Sequence, residues 1–258
     1  MLSPDDWATL AAFDSQELSY VPEFYEVLDS QILKLQRDQE MKLQKTQKLR
    51  TIALELIQDK IQEVYRDKRK KKRDDAQEAV KIDMYGSMAT GLAIDSSDLD
   101  LLVHDFIDAD SPRFHQLSRQ ELIEELQMLH QALNSVFALK TNTLIETASV
   151  PVIKLEINLA KIQERENQSK KLDTPIDFID EECRVLNIDI TLDEPKKREK
   201  SSDESTLEHL GLQCCKYIKQ KLQEHPSMKT LALVLKKFLS LKNLNKPFSG
   251  GLSSYSLI

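Results

Sequence analysis

The sequence predicts an α+β fold, with a mixed β-sheet flanked by helices that do not alternate regularly with its strands. Three observations support this prediction. A long segment without glycine or proline lies near the start of the chain, from Ser30 to about Arg73. Four short segments with strand-like patterns follow it at unequal intervals, and two segments with helical periodicity come last, at about 206–224 and 227–243. Unequal spacing of this kind is not typical of a repeated βαβ unit.

The long first segment is predicted to be one helix or two helices in series, because its apolar residues recur with the helical period. These residues are Leu49, Ile52, Leu56, Ile57 and Val64. The strand-like segments are Ala79–Gly86, Asp98–Val103, Thr147–Leu159 and Cys183–Asp193. An amphipathic helix is predicted over 118–139, with Ser118 as its N-cap and Glu121 three residues later. The polar segment 160–182 is interpreted as an exposed insertion.

The composition of the 258-residue chain excludes several classes of protein. Its three cysteines, without a CxxC spacing, argue against a disulfide framework and against a zinc site. No apolar run is long enough to span a membrane, and the acidic amino terminus lacks the pattern of a secretory signal. These features predict an intracellular protein that does not cross a membrane.

The charge of the chain is unevenly distributed. A net charge of −7 does not by itself indicate a protein that binds nucleic acid. Two basic runs, Arg66–Asp75 and Pro195–Lys200, nevertheless stand out in this acidic chain. They are interpreted as solvated segments, with contacts to RNA phosphates or a nuclear import signal as the alternatives.

The chemistry is predicted to lie in the segment MYGSMATGLAIDSSDLDLLV, residues 84–103. Asp98 and Asp100 are two residues apart on a predicted strand, so their carboxylates project from the same face. Two such carboxylates repel each other unless a cation lies between them, and Mg²⁺ binds carboxylate oxygens in this way. Upstream, Gly86 and Ser87 form a turn whose backbone could approach a phosphate. Each feature alone also fits an ordinary turn or an edge strand, but the combination favours a site for a nucleotide and a metal ion.

The same segment resembles the signature of the DNA polymerase β-like nucleotidyltransferases, and especially that of the noncanonical poly(A) polymerases and terminal uridylyltransferases. Two further segments resemble this family in the expected order: SVPVIKLE, residues 149–156, and LALVLKKFLSLKNLNKPFSGGLSSYSLI, residues 231–258. The resemblance covers roughly residues 49–258. It implies a nucleotidyltransferase mixed-sheet palm with flanking helices, followed by a partial helical central domain.

The resemblance also implies three catalytic carboxylates. In the family, a DxD strand and a third carboxylate bind two divalent ions, so Asp98, Asp100 and Asp189 are the expected ligands of Mg²⁺ or Mn²⁺. Glu156 and Asp193 are the other candidates for the third position. Asp189 is preferred because it lies between two apolar residues, as the family pattern requires.

Nucleotide-binding residues follow from the same resemblance. They are Gly86, Ser87, Lys236, Ser254 and Tyr255. Lys236 and Ser254 are expected to contact the triphosphate, and Tyr255 is expected to stack on the base. The neighbouring Lys237 is interpreted as a solvated lysine. Leu210 occupies the place of an asparagine that many relatives use to contact the ribose and base.

These assignments predict template-independent transfer of AMP from ATP to RNA 3′ ends by a two-metal mechanism. The alternatives are uridylyl transfer from UTP and an inactive RNA-binding scaffold with the same fold. The expected domains are an N-terminal helical segment (1–75), a catalytic domain with an insertion near 160–182 (76–200) and the truncated start of a helical central domain (201–258). The expected partners are the RNA 3′ end, the nucleotide and an RNA-binding protein cofactor. The nucleus is the expected location, with the cytoplasm as the alternative.

Overall fold

The structure is a computed structural model that describes residues 22–70, 79–107, 117–169, 183–193, 209–245 and 250–252. Its helices are α1 (Pro22–Lys70), α2 (Gly86–Thr90), α3 (Arg119–Leu133), α4 (Leu159–Gln168), α5 (Leu210–Glu224) and α6 (Ser227–Leu241). Its strands are β1 (Lys81–Tyr85), β2 (Leu99–His104), β3 (Leu139–Ile145), β4 (Val152–Asn158) and β5 (Val185–Leu192). Helices and strands do not alternate regularly, which confirms the predicted α+β fold.

The five strands form one mixed sheet in the order β1-β2-β5-β4-β3. Strands β2 and β5 pair in parallel at its centre, and the other neighbouring strands are antiparallel. Because β3, β4 and two helices separate β2 from β5 along the chain, the central pairing brings distant residues side by side.

Alternation along the strands gives the sheet an apolar face and a polar face. Leu101, Leu155 and Ile188 belong to the apolar face and are fully buried in one core with residues of α1, α3 and α4. The residues between them on the strands, including Asp100 and Asp189, project from the other face. The core thus fixes the strands from one side and leaves the polar face to carry the site.

Helix α1 runs without a break over 49 residues, so the first segment is one helix rather than two. Of its predicted apolar face, Leu49 and Ile57 are buried and the other three residues are partly buried, and the helix contacts α3, α4 and α6. Helix α3 begins after the predicted N-cap. The Ser118 hydroxyl accepts a hydrogen bond from the Glu121 N–H, and the Glu121 carboxylate accepts one from the Ser118 N–H.

The predicted boundaries between α3 and β4 are wrong. The helix predicted over 118–139 ends at Leu133, and the strand predicted over 147–159 begins only at Val152. Strand β3 lies between them and has no counterpart among the predicted strands. Among the described strands it lies at the edge of the sheet, paired with β4, and it shows no regular alternation of buried and exposed residues. The pattern on which the prediction depended is therefore absent there, and Pro151, which lacks an N–H, delays the start of β4.

The segment predicted to be an exposed insertion is partly buried. Its first residues belong to α4, which buries Leu159, Ile162 and Gln163 and packs against α1. Leu159 and Ile162 are three residues apart, so they share one face of the helix despite the charged residues around them. Residues 170–182 lie outside the described residues, and for them the exposed insertion stays a prediction.

Helices α5 and α6 pack on the loop that follows α2. Ile218 of α5 and Ala232 of α6 form a small buried cluster with Leu92 of this loop. Several large apolar side chains of the two helices are exposed: Leu210, Tyr217, Leu231, Phe238 and Leu241. No helix in the part of the chain that the structure describes has the length and hydropathy needed to cross a membrane.

Candidate active site

A row of charged side chains crosses the polar face of the sheet where β2, β5 and β4 lie side by side. Asp100 of β2 is directly opposite Asp189 of β5, and Asp189 is opposite Lys154 of β4. Asp98 immediately precedes β2, and its Oδ1 accepts a hydrogen bond from Asn187 Nδ2 at 3.1 Å. The pairing of β2 with β5 therefore brings together the three predicted carboxylates, which lie far apart in the sequence.

Two carboxylates of this row, Asp100 and Asp189, have a raised pKa. Burial, together with the charges of Asp189 and Asp98, raises the pKa of Asp100 to about 7. Burial also raises the pKa of Asp189, although its ion pair with Lys154 opposes the increase. The surroundings thus leave negative charge incompletely neutralised, which is the electrostatic condition expected at a cation site.

The two other candidates for the third carboxylate have different partners. Glu156 forms an ion pair with Lys140 at 3.0 Å. Asp193 Oδ2 lies 3.0 Å from His104 Nδ1. Of the three candidates, only Asp189 pairs in register with Asp100.

Asn187 and Lys154 touch the carboxylates but are not among the predicted site residues. Asn187 precedes Asp189 by two residues on β5, so strand periodicity alone would have placed both side chains on one face. Lys154 reaches Asp189 because β4 pairs with β5 in the observed register. That register joins distant parts of the chain, and no local pattern predicts it.

Gly86 forms the sharp turn between β1 and α2. Its φ angle is +72°, in the left-handed region that favours glycine. A Cβ atom at this position would lie 2.0 Å from Asp100 Oδ2, so the close approach of the turn to the carboxylate also requires glycine. The Gly86 N–H donates a hydrogen bond to Cys215 Sγ of α5, with the two atoms 3.1 Å apart. The turn is therefore held against β2 on one side and α5 on the other.

A cavity of about 260 Å³ lies beside this turn. Gly86, Ser87, Asp98, Asp100 and Lys236 line it. Lys236 is only 6% exposed, and its Nζ donates a hydrogen bond to the Leu92 carbonyl at 2.7 Å. Burial lowers the pKa of Lys236 to about 8, although Asp100 and Asp98 oppose the decrease. The cavity thus combines a glycine turn, a hydroxyl and a buried amine with two carboxylates, a set that suits an anion accompanied by a cation.

A second cavity, of about 300 Å³, lies on the other side of the carboxylates. Asp98 and Asp189 border it together with Lys154, Asn187, Thr141 and Thr143. Asp98 lines both cavities. The carboxylate row therefore stands between two polar cavities, so that groups bound in each could meet there.

The structure describes only some of the remaining residues discussed in the sequence analysis. Ser254 and Tyr255 lie outside the described residues, and their roles stay predictions. Leu210, at the start of α5, is 70% exposed. The interpretation of Lys237 as a solvated lysine is wrong, because its Nζ lies 2.9 and 3.0 Å from the two carboxylate oxygens of Asp95. The two residues are 142 positions apart in the sequence, so no local pattern predicts this ion pair.

The donor set fits a divalent cation in its chemistry. Three carboxylates with incompletely neutralised charge supply the oxygen ligands that Mg²⁺ and Mn²⁺ prefer. Among the described residues, however, no three His, Cys, Asp or Glu side chains converge as a preformed metal centre. Asp189 instead pairs with Lys154, and Asp98 accepts a hydrogen bond from Asn187. A cation that engaged all three carboxylates would therefore have to compete with the Lys154 ammonium for Asp189.

Comparison with known proteins identifies the family of this chain. A family model described as the central palm domain of mitochondrial-like poly(A) RNA polymerases matches residues 28–164, just over half of the chain. Poly(A) RNA polymerase cid14 of Schizosaccharomyces pombe is 25% identical over 186 residues, covering 69% of this chain and 19% of cid14. The inactive poly(A) RNA polymerase protein Trf4-2 of Drosophila melanogaster is 27% identical over 179 residues, covering 68% of this chain and 32% of Trf4-2.

The fold is also found in a solved structure. The GLD-2/RNP-8 complex contains a chain that matches with a TM-score of 0.53 and 16% identity, over 90% of this chain and 59% of that one. The present chain spans less than a third of the length of the two curated relatives. The match of the family model to more than half of the residues shows that the chain belongs to the family of mitochondrial-like poly(A) RNA polymerase palm domains, within the noncanonical poly(A) polymerases and terminal uridylyltransferases.

Proposed function

We propose that this chain carries the catalytic centre of an RNA nucleotidyltransferase that adds AMP from ATP to RNA 3′ ends. The observation that carries the proposal is the row of Asp98, Asp100 and Asp189 between two cavities, one of which contains the Gly86 turn and Lys236. A nucleoside triphosphate in that cavity and an RNA end in the other would meet at the carboxylates. The family of the chain supports this choice of reaction.

The residues of the first cavity would hold the triphosphate. Ser87 offers a hydroxyl and a backbone N–H beside the turn, and Lys236 offers a buried ammonium. Gly86 lets the backbone come close to the phosphates because no side chain stands in the way. These groups would orient the α-phosphate and neutralise the pyrophosphate as it leaves.

The second cavity would receive the last nucleotide of the RNA. The 3′-hydroxyl oxygen attacks the α-phosphorus and forms a new phosphodiester bond, while the bond from that phosphorus to the bridging oxygen breaks and releases pyrophosphate. Asp189, which borders this cavity, would accept the hydroxyl proton.

Asp98, Asp100 and Asp189 would together hold Mg²⁺ or Mn²⁺. When bound, such ions lower the pKa of a coordinated hydroxyl and neutralise the charge on the phosphates. The chain itself contributes the oxygen donors and holds them in place by strand pairing. Asn187 keeps the Asp98 carboxylate oriented through its hydrogen bond.

Two other functions fit the same fold. Transfer of UMP from UTP would use the same carboxylates, and the choice of AMP rests on the names of the relatives cid14 and gld-4, both poly(A) RNA polymerases. An inactive RNA-binding scaffold is the second alternative, since the relative Trf4-2 is itself named inactive. The retained carboxylates at positions 98, 100 and 189 favour the enzyme over the scaffold.

Replacing Lys236 by methionine should raise the KM for ATP by about 10- to 100-fold, the usual effect of losing a charge-assisted hydrogen bond. The wild-type affinity for ATP should also fall as the pH rises through about 8, because the amine then loses its proton. Steady-state kinetics with a fixed RNA primer measure both effects. Lys242→Met is the control, because Lys242 lies exposed just beyond α6 and should not change the KM.

A primer-extension assay tests the proposed function. A labelled single-stranded RNA is incubated with the protein, Mg²⁺ and one nucleotide at a time: ATP, UTP, CTP or GTP. Extension with ATP that disappears in Asp98→Ala supports the proposal, and extension with UTP alone would replace it by uridylyl transfer. No extension with any nucleotide, while the RNA still binds, would favour the scaffold.

An RNA-binding protein partner and a nuclear location belong to the same proposal. The net charge of −7 gives the chain little general affinity for RNA phosphates, so a basic partner would supply it. The solved chain that shares this fold belongs to a complex of two proteins, GLD-2 and RNP-8. If the affinity for RNA were the same at low and high salt, neither the chain nor the partner would bind RNA mainly through its phosphates, which would contradict this part of the proposal.

A further inference from the structure

Asp95 lies in the loop between α2 and β2, three residues before Asp98, and only 7% of it is exposed. Its carboxylate oxygens receive Lys237 Nζ of α6 at 2.9 and 3.0 Å. Lys42 of α1 approaches the same carboxylate at 3.5 Å, and the Ser96 N–H donates to it at 2.9 Å. Although burial favours the neutral acid, these partners hold the pKa of Asp95 below its ordinary value.

The backbone of Asp95 is held as firmly as its side chain. Its N–H donates to the side-chain carbonyl of Gln39 at 3.1 Å. Its carbonyl accepts a hydrogen bond from Arg50 Nη2 at 3.0 Å, and Arg50 is itself 4% exposed. Gln39 and Arg50 both belong to α1, whereas Lys237 belongs to α6. Asp95 therefore connects its loop to two helices from opposite ends of the described chain.

The loop that contains Asp95 forms part of the wall of the cavity proposed to bind the nucleotide. Ile94, Ser96 and Ser97 line the cavity on either side of Asp95, and Asp98 follows directly. On α6, Lys237 is adjacent to Lys236, whose Nζ bonds to the Leu92 carbonyl of the same loop. The Asp95–Lys237 ion pair therefore lies close to two groups of the site, Asp98 and Lys236, but it lines neither of the two cavities described above.

We propose that Asp95 and Lys237 are positioning residues, which fix the distance between the Lys236 ammonium on α6 and the Asp98 and Asp100 carboxylates on the sheet. This inference rests on the proposed function, because it concerns the same nucleotide cavity. A displacement of about 1 Å within a catalytic site can cost about a hundredfold in rate. The ion pair would hold α6 at a fixed position relative to the loop. The triphosphate could then contact Lys236 while the cation contacts Asp98 and Asp100.

A second ion pair made by α6 provides a matched control. Lys229 of α6 pairs with Glu40 of α1 at 2.9 Å, and both side chains are more than 40% exposed. This pair joins α6 to α1, and neither of its residues lines either of the two cavities. A general weakening of the packing of α6 should therefore follow from either substitution, whereas loss of positioning should follow only from Lys237→Met.

The test compares Lys237→Met, Lys237→Arg and Lys229→Met. Affinity for Mg²⁺·ATP is measured by calorimetry, kcat and both KM values are measured by primer extension, and melting temperatures are recorded. Lys237→Met should weaken ATP binding and lower kcat by about tenfold or more each, while the KM for RNA stays within about twofold. Lys237→Arg keeps the charge and should recover most of the activity. Lys229→Met should leave all kinetic constants unchanged.

A double-substitution cycle separates positioning from stability. If the two residues act as one unit, Asp95→Asn combined with Lys237→Met should bind ATP no more weakly than Lys237→Met alone. Additive losses would contradict the proposal, as would a Lys237→Met protein with a lower melting temperature and unchanged ATP affinity. Wild-type protein that binds Mg²⁺·ATP but extends no RNA would overturn the proposed function, and the ATP affinities of the variants would still decide the role of the ion pair. A wild-type chain that does not bind Mg²⁺·ATP would overturn both.

Discussion

Asp100→Asn should greatly reduce nucleotidyl transfer and at the same time stabilise the metal-free protein. The activity should fall by about a thousandfold, because an amide is a poor ligand for Mg²⁺ and leaves the charge of the phosphates uncompensated. Stability should rise because burial and the charges of Asp189 and Asp98 all disfavour the ionised carboxylate of Asp100. An uncharged amide of nearly the same shape removes this unfavourable charge.

The stabilisation should depend on pH in a defined direction. The pKa of Asp100 is about 7 in the folded protein, against about 3.9 for an unfolded chain. Between these values the folded state binds the proton more tightly, so the metal-free wild type loses stability as the pH rises from about 4 to about 7. At pH 8 the variant should be more stable by on the order of 2 to 4 kcal/mol, and near pH 4 the difference should vanish.

Urea denaturation at several pH values, with EDTA present, measures this effect. Asp59→Asn is a suitable control, because Asp59 lies exposed on α1 and should show no such gain. Adding Mg²⁺ should then stabilise the wild type but not Asp100→Asn. A variant that is less stable than the wild type at pH 8 would contradict the picture of a strained, cation-deficient carboxylate row.

Gly86→Ala should have the second large effect, and Gly91→Ala provides its matched control. Both glycines have a positive φ angle, +72° for Gly86 and +77° for Gly91, so alanine pays a similar backbone cost of about 1–2 kcal/mol at each. At Gly91 the added methyl group would meet no neighbouring group within 4 Å among the residues that the structure describes. At Gly86 the methyl group would overlap Asp100 Oδ2, so the turn or the carboxylate must move.

The two variants should therefore differ mainly in activity. Gly86→Ala should lose about a hundredfold or more in kcat/KM, because displacement of Asp100 disturbs both the nucleotide and the cation. Gly91→Ala should lose stability but retain most of its activity per folded molecule. Primer extension and thermal denaturation of both proteins measure the difference. Equal loss of activity in the two would show that the backbone conformation of the turn matters, and not the contact with Asp100.

The residues of the site could be predicted from the sequence to the extent that local patterns determine them. Strand alternation placed Asp98 beside Asp100, and the spacing around Gly86 gave a turn at the end of β1, as the structure shows. Strand alternation could also have predicted that Asn187 belongs to the site, because it is two residues from Asp189 on β5.

Contacts between distant segments could not be predicted in this way. Lys154 meets Asp189 through the register of β4 on β5, and Lys237 meets Asp95 across 142 residues. A lysine on a helix gives no sign in the sequence of which carboxylate it will reach. Strand β3 was missed for a related reason: as an edge strand it has little buried surface, so its side chains carry no clear alternation. The domain boundaries and the location of the protein stay predictions.

Binding of Mn²⁺ is the measurement that tests the carboxylate row most directly. Electron paramagnetic resonance counts free Mn²⁺ in the presence of the wild type, of Asp98→Asn/Asp100→Asn and of Asp59→Asn, with ATP present, and the Mn²⁺ bound by the same ATP without protein is subtracted. If the row holds the cation, the wild type and Asp59→Asn should bind Mn²⁺ together with ATP, and the double variant should lose at least about tenfold in affinity. Equal Mn²⁺ binding by all three proteins would show that these carboxylates do not form the metal site.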